Sequence, residues 1–153
     1  MLLKTPAEFS TALPTKARLL GLDVGETTIG LALSDDSRMV ASPLETIERS
    51  KFSKDLEKLT RLINIHKIAG LVIGHPVNMD GSLGPRSQST YTFVLNLEKT
   101  ITLPMLLWDE RLSTMAVERM MLEADLSRAR REQLVDKLAA SYMLQGFLDN
   151  IRI

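Results

Sequence analysis

The stretch Arg18-Leu19-Leu20-Gly21-Leu22-Asp23-Val24-Gly25-Glu26-Thr27-Thr28-Ile29-Gly30-Leu31-Ala32-Leu33-Ser34 decides the fold. Its first half is a short apolar run stopped by Gly25, the pattern of a buried strand. Ile29 to Ser34 repeats that pattern after a tight Gly-Glu-Thr-Thr connection, which predicts a hairpin. Arg38 to Ile47 supplies a third strand, with Met39, Ala41 and Pro43 on one face and Val40, Ser42 and Leu44 on the other. Pro43 puts that strand at a sheet edge or marks its end. Downstream the period changes. Ser53 to His66 reads as a helix capped by Ser53, with Leu56, Leu59, Leu62 and Ile63 as its apolar stripe. Ile68 to Gly74 is a continuous apolar strand of the kind covered on both faces. Pro76 to Pro85 is a polar loop with an Asp80-Gly81 turn. Arg86 to Lys99 reads as a helix, Pro104 to Trp108 as a strand, Ser113 to Glu123 as a helix, and Arg130 to Asn150 as a longer helix. Three strands followed by alternating helices and strands predict a three-layer α/β domain around a mixed five-stranded sheet.

The chain has 153 residues, 44% of them hydrophobic, which suits one domain with a real core. It has no cysteine, so disulfides, thiolate metal sites and catalytic thiols are excluded. His66 and His75 are its only histidines, too few for a multi-histidine zinc site. No apolar run approaches the roughly 20 residues of a membrane span. Acidic Glu8 and the lack of a long apolar segment before Leu13 disfavour a signal peptide, so a cytoplasmic protein is expected. Residues 1–17 carry Pro6 and Pro14 and little periodicity, and read as a loosely packed N-terminal extension to a single domain of residues 18–153. The 19 basic and 19 acidic side chains cancel, which excludes an indiscriminate polycation but not a local basic groove.

Three groups of carboxylates stand where a carboxylate needs explaining. Asp23 ends an apolar strand, where it requires turn hydrogen bonds, a cation or a metal. Asp109 and Glu110 follow the strand Met105 to Trp108, and alternation puts them on opposite faces if the strand continues. Residue chemistry alone does not choose between those two acids. Asp136 lies on the helical stripe of Ala139, Ala140, Met143, Leu144 and Phe147, so a carboxylate falls on a core-facing stripe. The structural alternatives are a turn residue for Asp23, a capped strand end for Asp109, and an ion pair with Arg128 or Arg131 for Asp136. Strand ends and a neighbouring helix can converge on one crevice. Convergent carboxylates repel unless a divalent cation neutralises them, and an oxygen-only donor set suits Mg²⁺ or Mn²⁺ better than zinc.

Gly21-Leu22-Asp23-Val24-Gly25 with Gly30-Leu31-Ala32-Leu33-Ser34-Asp35 resembles the opening of the YqgF/RuvX-like family. Four further segments fit in family order: Gly74-His75-Pro76-Val77-Asn78-Met79-Asp80-Gly81; Gly84-Pro85-Arg86; Asp109-Glu110-Arg111-Leu112-Ser113-Thr114; and Val135-Asp136-Lys137-Leu138-Ala139-Ala140 with Leu144-Gln145. The resemblance runs from about Leu19 to Asp149 and leaves the N-terminal extension outside. It implies a ribonuclease H-like fold and metal-dependent phosphodiester hydrolysis, on Holliday junctions or at the 5′ end of pre-16S ribosomal RNA. It also implies that Asp23, Glu110 and Asp136 are the catalytic, metal-binding acids, with Asp109 the competitor for the second position. The chain departs from the family at Thr28, where a basic residue is common, and at His75, where leucine is usual. Ala139 stands where more distant resolvases carry a further carboxylate.

Around such a site, Asn78, Asp80, Ser82 and Arg86 lie on a loop just after a central strand, placed for substrate contact or simply solvated. Gly25, Thr27 and Thr28 could offer backbone amides to a phosphate or merely close the hairpin. Arg111 could track a nucleic-acid backbone, with Arg128, Arg130, Arg131 and Lys137 near it, although interleaved acids make a mixed solvated surface the competing reading. Most of the aromatic residues are assigned to the core. Setting Asp23, Asp109, Glu110 and Asp136 aside leaves 15 acids against 19 bases, a mildly basic remainder. The expected partner is nucleic acid, precursor rRNA or branched DNA, and a homodimer would suit a symmetric junction. Two alternatives come from other classes. One is a non-catalytic RNA-binding ribosome-assembly factor. The other is a nucleotide-binding phosphotransferase, because Asp23-Val24-Gly25-Glu26-Thr27-Thr28 also resembles the phosphate loop of actin-like ATPases and sugar kinases.

Overall fold

The computed structural model describes residues 1–76, 83–109 and 127–151, with side chains in the last segment described at 127 and from 138 onward. Strand β1 (Leu2–Leu3) and helix α1 (Pro6–Ala12) precede the hairpin of β2 (Arg18–Val24) and β3 (Thr28–Ser34). β4 (Ala41–Glu48), α2 (Phe52–His66), β5 (Ile68–His75), α3 (Pro85–Glu98), β6 (Met105–Asp109) and α4 (Arg128–Ile151) follow. The strands form one six-stranded sheet in the order β1-β6-β5-β2-β3-β4. β2, β3 and β4 are an antiparallel meander. β2, β5, β6 and β1 run parallel to one another. This is the α/β architecture that the alternating periodicities predict, with one strand more than five.

Strand alternation sorts the core into two layers. Leu20, Leu22 and Val24 of β2, with Leu71 and Ile73 of β5, pack toward α2 and α3 through Leu59, Phe93, Val94 and Leu97. Leu19, Ala32, Val72 and Leu106 pack on the opposite face against Ala140, Met143, Leu144, Phe147 and Leu148 of α4. The stripe read from the sequence is therefore the buried face of α4: Ala139, Ala140, Met143, Leu144 and Phe147 are all 2% exposed or less. Gly21 is required where α4 crosses β2, because a Cβ there would lie 3.0 Å from Leu144 Cβ.

Several local expectations are corrected. The N-terminal segment is packed, not loose. Phe9 is fully buried and meets Phe147 edge-on at 5.6 Å. β1 adds to the free edge of β6, held by Met105 N–H donating to the Met1 carbonyl at 2.8 Å and by Leu2 N–H donating to Glu98. Two residues of strand and two turns of helix are too short to show a period. Ser53 is not the cap of α2. The helix begins one residue earlier, Lys51 is the N-cap without a side-chain bond, and Asp55 accepts from Ser50 N–H and hydroxyl at 3.1 and 3.4 Å. β4 is an edge strand as Pro43 requires, and its pairing shifts register between Leu31 and Ala32, opposite that proline. Tyr91 and Tyr142 are exposed at 45% and 37%, so they do not belong to the core. The helix expected over Ser113–Glu123 lies outside the described residues.

Candidate active site

Asp23 is placed by the pleat. Leu19 and Gly21 face α4, so Asp23, two residues on, shares that face at the carboxyl end of β2. Its side chain is 18% exposed, and its Oδ1 stands 3.9 Å from an Arg86 guanidinium nitrogen. That separation is a Coulombic contact longer than a hydrogen bond. Arg86 occupies the first turn of α3, which Gly84 and Pro85 start as sequence signals for a helix N-terminus require.

The β2–β3 turn beside Asp23 is held closed. Gly25 N–H donates to the Thr28 carbonyl at 2.8 Å, so that amide closes the hairpin and does not face a phosphate. Arg49, just past β4, binds the same turn twice. Its backbone N–H donates to the Thr27 carbonyl at 2.8 Å and its guanidinium to the Gly25 carbonyl at 2.6 Å. The guanidinium carbon also stands 5.3 Å from the centre of the Phe93 ring. Between this turn and the start of α3 runs a groove of about 440 Å³, lined by Val24, Gly25, Glu26, Arg49, Pro85, Arg86, Ser89 and Thr90. Thr27 and Thr28 do not line it.

On the other face of the sheet a second polar cluster lies at the ends of β5 and β6. His75 ends β5, in register with Asp109 of β6. His75 Nε2 is 2.8 Å from the hydroxyl of buried Ser87 on α3. Burial lowers the His75 pKa from its ordinary value, and the nearby Asp109 carboxylate opposes that by raising it. His75 is thus a strand residue that fastens β5 to the start of α3, not the loop residue that its neighbours suggest.

The two faces bear on the choice between adjacent acids. Met105 and Leu107 belong to the α2/α3 layer, whereas Leu106 and Trp108 belong to the α4 layer. Asp109 therefore takes the α2/α3 face, opposite that of Asp23. Glu110 and Arg111 lie outside the described residues, as do Asn78 and Asp80. Asp136 falls within α4, the helix that covers the Asp23 face, and its side chain is outside the description. No cluster of three metal-binding side chains occurs among the described residues. Asp23 and Arg86 are the expected site residues that the structure brings together. Arg49 was not legible in the sequence: its partner Gly25 is 24 residues away and no motif marks it.

The mixed sheet, with an antiparallel meander leading into parallel strands and a terminal helix across one face, defines the class as ribonuclease H-like. Solved structures agree on the fold. RuvC of Thermus thermophilus in complex with a Holliday junction superposes with a TM-score of 0.54 at 16% identity, over 88% of this chain and 96% of that one. The yeast mitochondrial Holliday junction resolvase Ydc2 gives 0.50 at 10% identity, over 94% of this chain and 85% of that one. The chain belongs to the RuvX family, described as Holliday junction resolvase, whose sequence profile matches residues 17–150. That match begins where β2 is about to start and leaves β1 and α1 outside. A Rhodobacter capsulatus relative named "Putative pre-16S rRNA nuclease" is 58% identical over 94% of this chain and 91% of its own length. A relative of the same name from Paramagnetospirillum magneticum is 54% identical over 95% and 94%.

Proposed function

We propose that this chain is a metal-dependent nuclease that hydrolyses phosphodiester bonds in structured nucleic acid, with the 5′ end of pre-16S rRNA as its main substrate and branched DNA as a second. The observation that carries the reading is the placement of Asp23. It is a partly exposed carboxylate at the carboxyl end of a central strand, on the face covered by the helix that bears Asp136, with an arginine beside it. The high identity to relatives named for pre-16S rRNA supports the RNA substrate.

The donor chemistry suits a hard divalent ion. Asp23 supplies a carboxylate, and Glu110 and Asp136 are the proposed companions, an all-oxygen set fit for Mg²⁺ or Mn²⁺. Asp109, on the opposite face from Asp23, is the weaker candidate. Once bound, the metal would supply Lewis-acid stabilisation of the charge that develops on the phosphoryl oxygens. Arg86 orients the Asp23 carboxylate and offers its remaining donors to the substrate backbone. Asn78, Asp80, Arg111, Thr27 and Thr28 remain proposed substrate contacts. Water adds to phosphorus, the P–O3′ bond breaks, and the products carry 5′-phosphate and 3′-hydroxyl ends. The proposed site of action is the cytoplasm, and no helix among the described residues is long and apolar enough to cross a membrane. The proposed assembly on a symmetric junction is a homodimer.

The test uses purified protein with a pre-16S leader RNA and a four-way DNA junction, each with magnesium and with chelator. Magnesium-dependent cleavage that Asp23→Asn abolishes is the expected result. Equal cleavage by both proteins would overturn the assignment. A non-catalytic assembly factor is the second reading, favoured by Ala139, a buried alanine where distant resolvases carry a further acid. Tight RNA binding in chelator, with neither substrate cut under any condition, would establish it instead.

A further inference from the structure

We propose that Arg49 and Arg86 form a clamp for a backbone phosphate of the substrate strand, in the groove between the β2–β3 turn and α3, next to but separate from the phosphate being cut. The proposal rests on the nuclease reading above and adds to it a contact at Arg49.

Four observations combine. Two guanidiniums, from chain positions 37 residues apart, line one groove of about 440 Å³. Arg49 is held in place before any ligand arrives: one nitrogen donates to the Gly25 carbonyl, and the guanidinium is stacked at 5.3 Å from the Phe93 ring. Phe93 is itself 4% exposed, so the ring beside the arginine belongs to the packed core. A guanidinium has five N–H donors, and its fork matches two phosphate oxygens. The bond to Gly25 comes from one nitrogen, Nη1, so it uses one of the five donors of a residue that lines the groove. Immobilising the arginine in the free protein also lowers the ordering cost of binding.

The groove adjoins Asp23 through Arg86, which reaches that carboxylate at 3.9 Å and lines the groove as well. A strand with its reacting phosphate at Asp23 would therefore pass Arg86 and lay a neighbouring phosphate against Arg49. Glu26 also lines the groove. A free multiply charged anion would meet that carboxylate, whereas a phosphodiester carries a single charge and can present its oxygens to the arginines. That favours a backbone phosphate over a nucleotide or inorganic phosphate. A purely structural Arg49, there only to tie the hairpin turn, is the competing account.

The experiment measures binding of a fluorescein-labelled stem-loop RNA with a single-stranded tail by anisotropy across a salt series, with the RNA checked for integrity on a gel. Wild type, Arg49→Ala, Arg49→Lys and the distant control Arg61→Ala are compared. Arg49→Ala should weaken binding about tenfold and reduce the salt slope by about 0.7–0.9, the value of one lost phosphate contact. Arg49→Lys should keep most of the slope but not the full affinity, because it keeps the charge and loses the fork. Arg61→Ala should match wild type. Because Arg49→Ala also loosens the turn, wild-type protein is treated in parallel with phenylglyoxal. RNA should protect Arg49 and Arg86 from modification and leave Arg61 reactive, and millimolar ATP or inorganic phosphate should protect neither. Wild-type affinity and slope in Arg49→Ala, with Arg49 still modified under RNA, would remove the clamp and leave the nuclease reading standing. Protection by ATP would replace the backbone phosphate with a nucleotide and overturn the proposal. Failure of wild type to bind any nucleic acid would overturn the nuclease reading and the clamp with it.

Discussion

The two ends of the β2–β3 hairpin each carry an aspartate beside a strand terminus, and they use it in opposite ways. Asp35 follows β3 and accepts from the amides of Met39 and Val40 at 2.7 and 3.1 Å through a single oxygen. Ser34 supports the same end by accepting from Leu19 N–H at 2.8 Å and donating to the Asp35 carbonyl at 2.9 Å. These are local bonds that hold a connection. Asp23 faces a guanidinium brought from another element, Arg86 of α3, at 3.9 Å. Asp55 belongs with Asp35: it is 1% exposed and binds Ser50 at the start of α2. Asp35 and Asp55 bind groups within five residues along the chain, as connections and helix starts do, whereas Asp23 meets a cation brought from a distant element, as site residues do.

This contrast is open to direct attack. Asp23→Asn should lower metal-dependent cleavage by at least about 10²–10³-fold, the scale of losing one strong transition-state electrostatic contact. Its melting temperature should stay close to wild type. Asp55→Ala should do the reverse, costing about 1–3 kcal/mol in urea denaturation because two bonds to a charged acceptor at the start of α2 are lost, with turnover per folded molecule unchanged. Cleavage lost in both, or stability lost in both, would erase the distinction between the two kinds of carboxylate. Gly70→Ala should cost about 1–3 kcal/mol, since its Cβ would lie 2.9 Å from Leu13 Cδ2 and Phe9 Cζ. A neutral effect would show that α1 is not fastened to β5.

The smallest expected effect is at His75. Its folded-state pKa is lowered by burial, so the unfolded chain binds the proton more readily. Stability of the metal-free protein should therefore be complete above the ordinary histidine value of 6.5 and decline as pH falls below it. His75→Leu should flatten that part of the profile. An unchanged slope would mean that the Asp109 carboxylate compensates the burial.

Much of the fold was legible because it rests on short-range periodicity. The apolar run of β5 and the stripe Ala139 to Phe147 of α4 read correctly, since alternation and the helical repeat are properties of consecutive residues. Ser53 misled because a capping residue is recognised by type, while the start of α2 was decided by Asp55 reaching back to Ser50. β1 and α1 were missed because neither is long enough to show a period, and their stability comes from β6 and Phe147.

The candidate site divides along the same line. Asp23 stood out in the sequence because a charge ending an apolar strand is anomalous wherever the strand packs. Which of two adjacent acids shares its face could not be read locally, because that depends on which layer covers each side of β6. The sheet assigns Met105 and Leu107 to one layer and Leu106 and Trp108 to the other, which carries Asp109 away from Asp23. Arg49 is a tertiary result altogether. Its meaning arises from a carbonyl 24 residues back, a ring 44 residues on, and a second arginine brought to the same groove. The sequence alone determined the described elements from β2 onward, their order and the anomalous carboxylates, since local sterics and hydrophobic period act within a few residues. Only the tertiary structure decided which charges meet, because contacts between distant segments are set by packing and not by spacing along the chain.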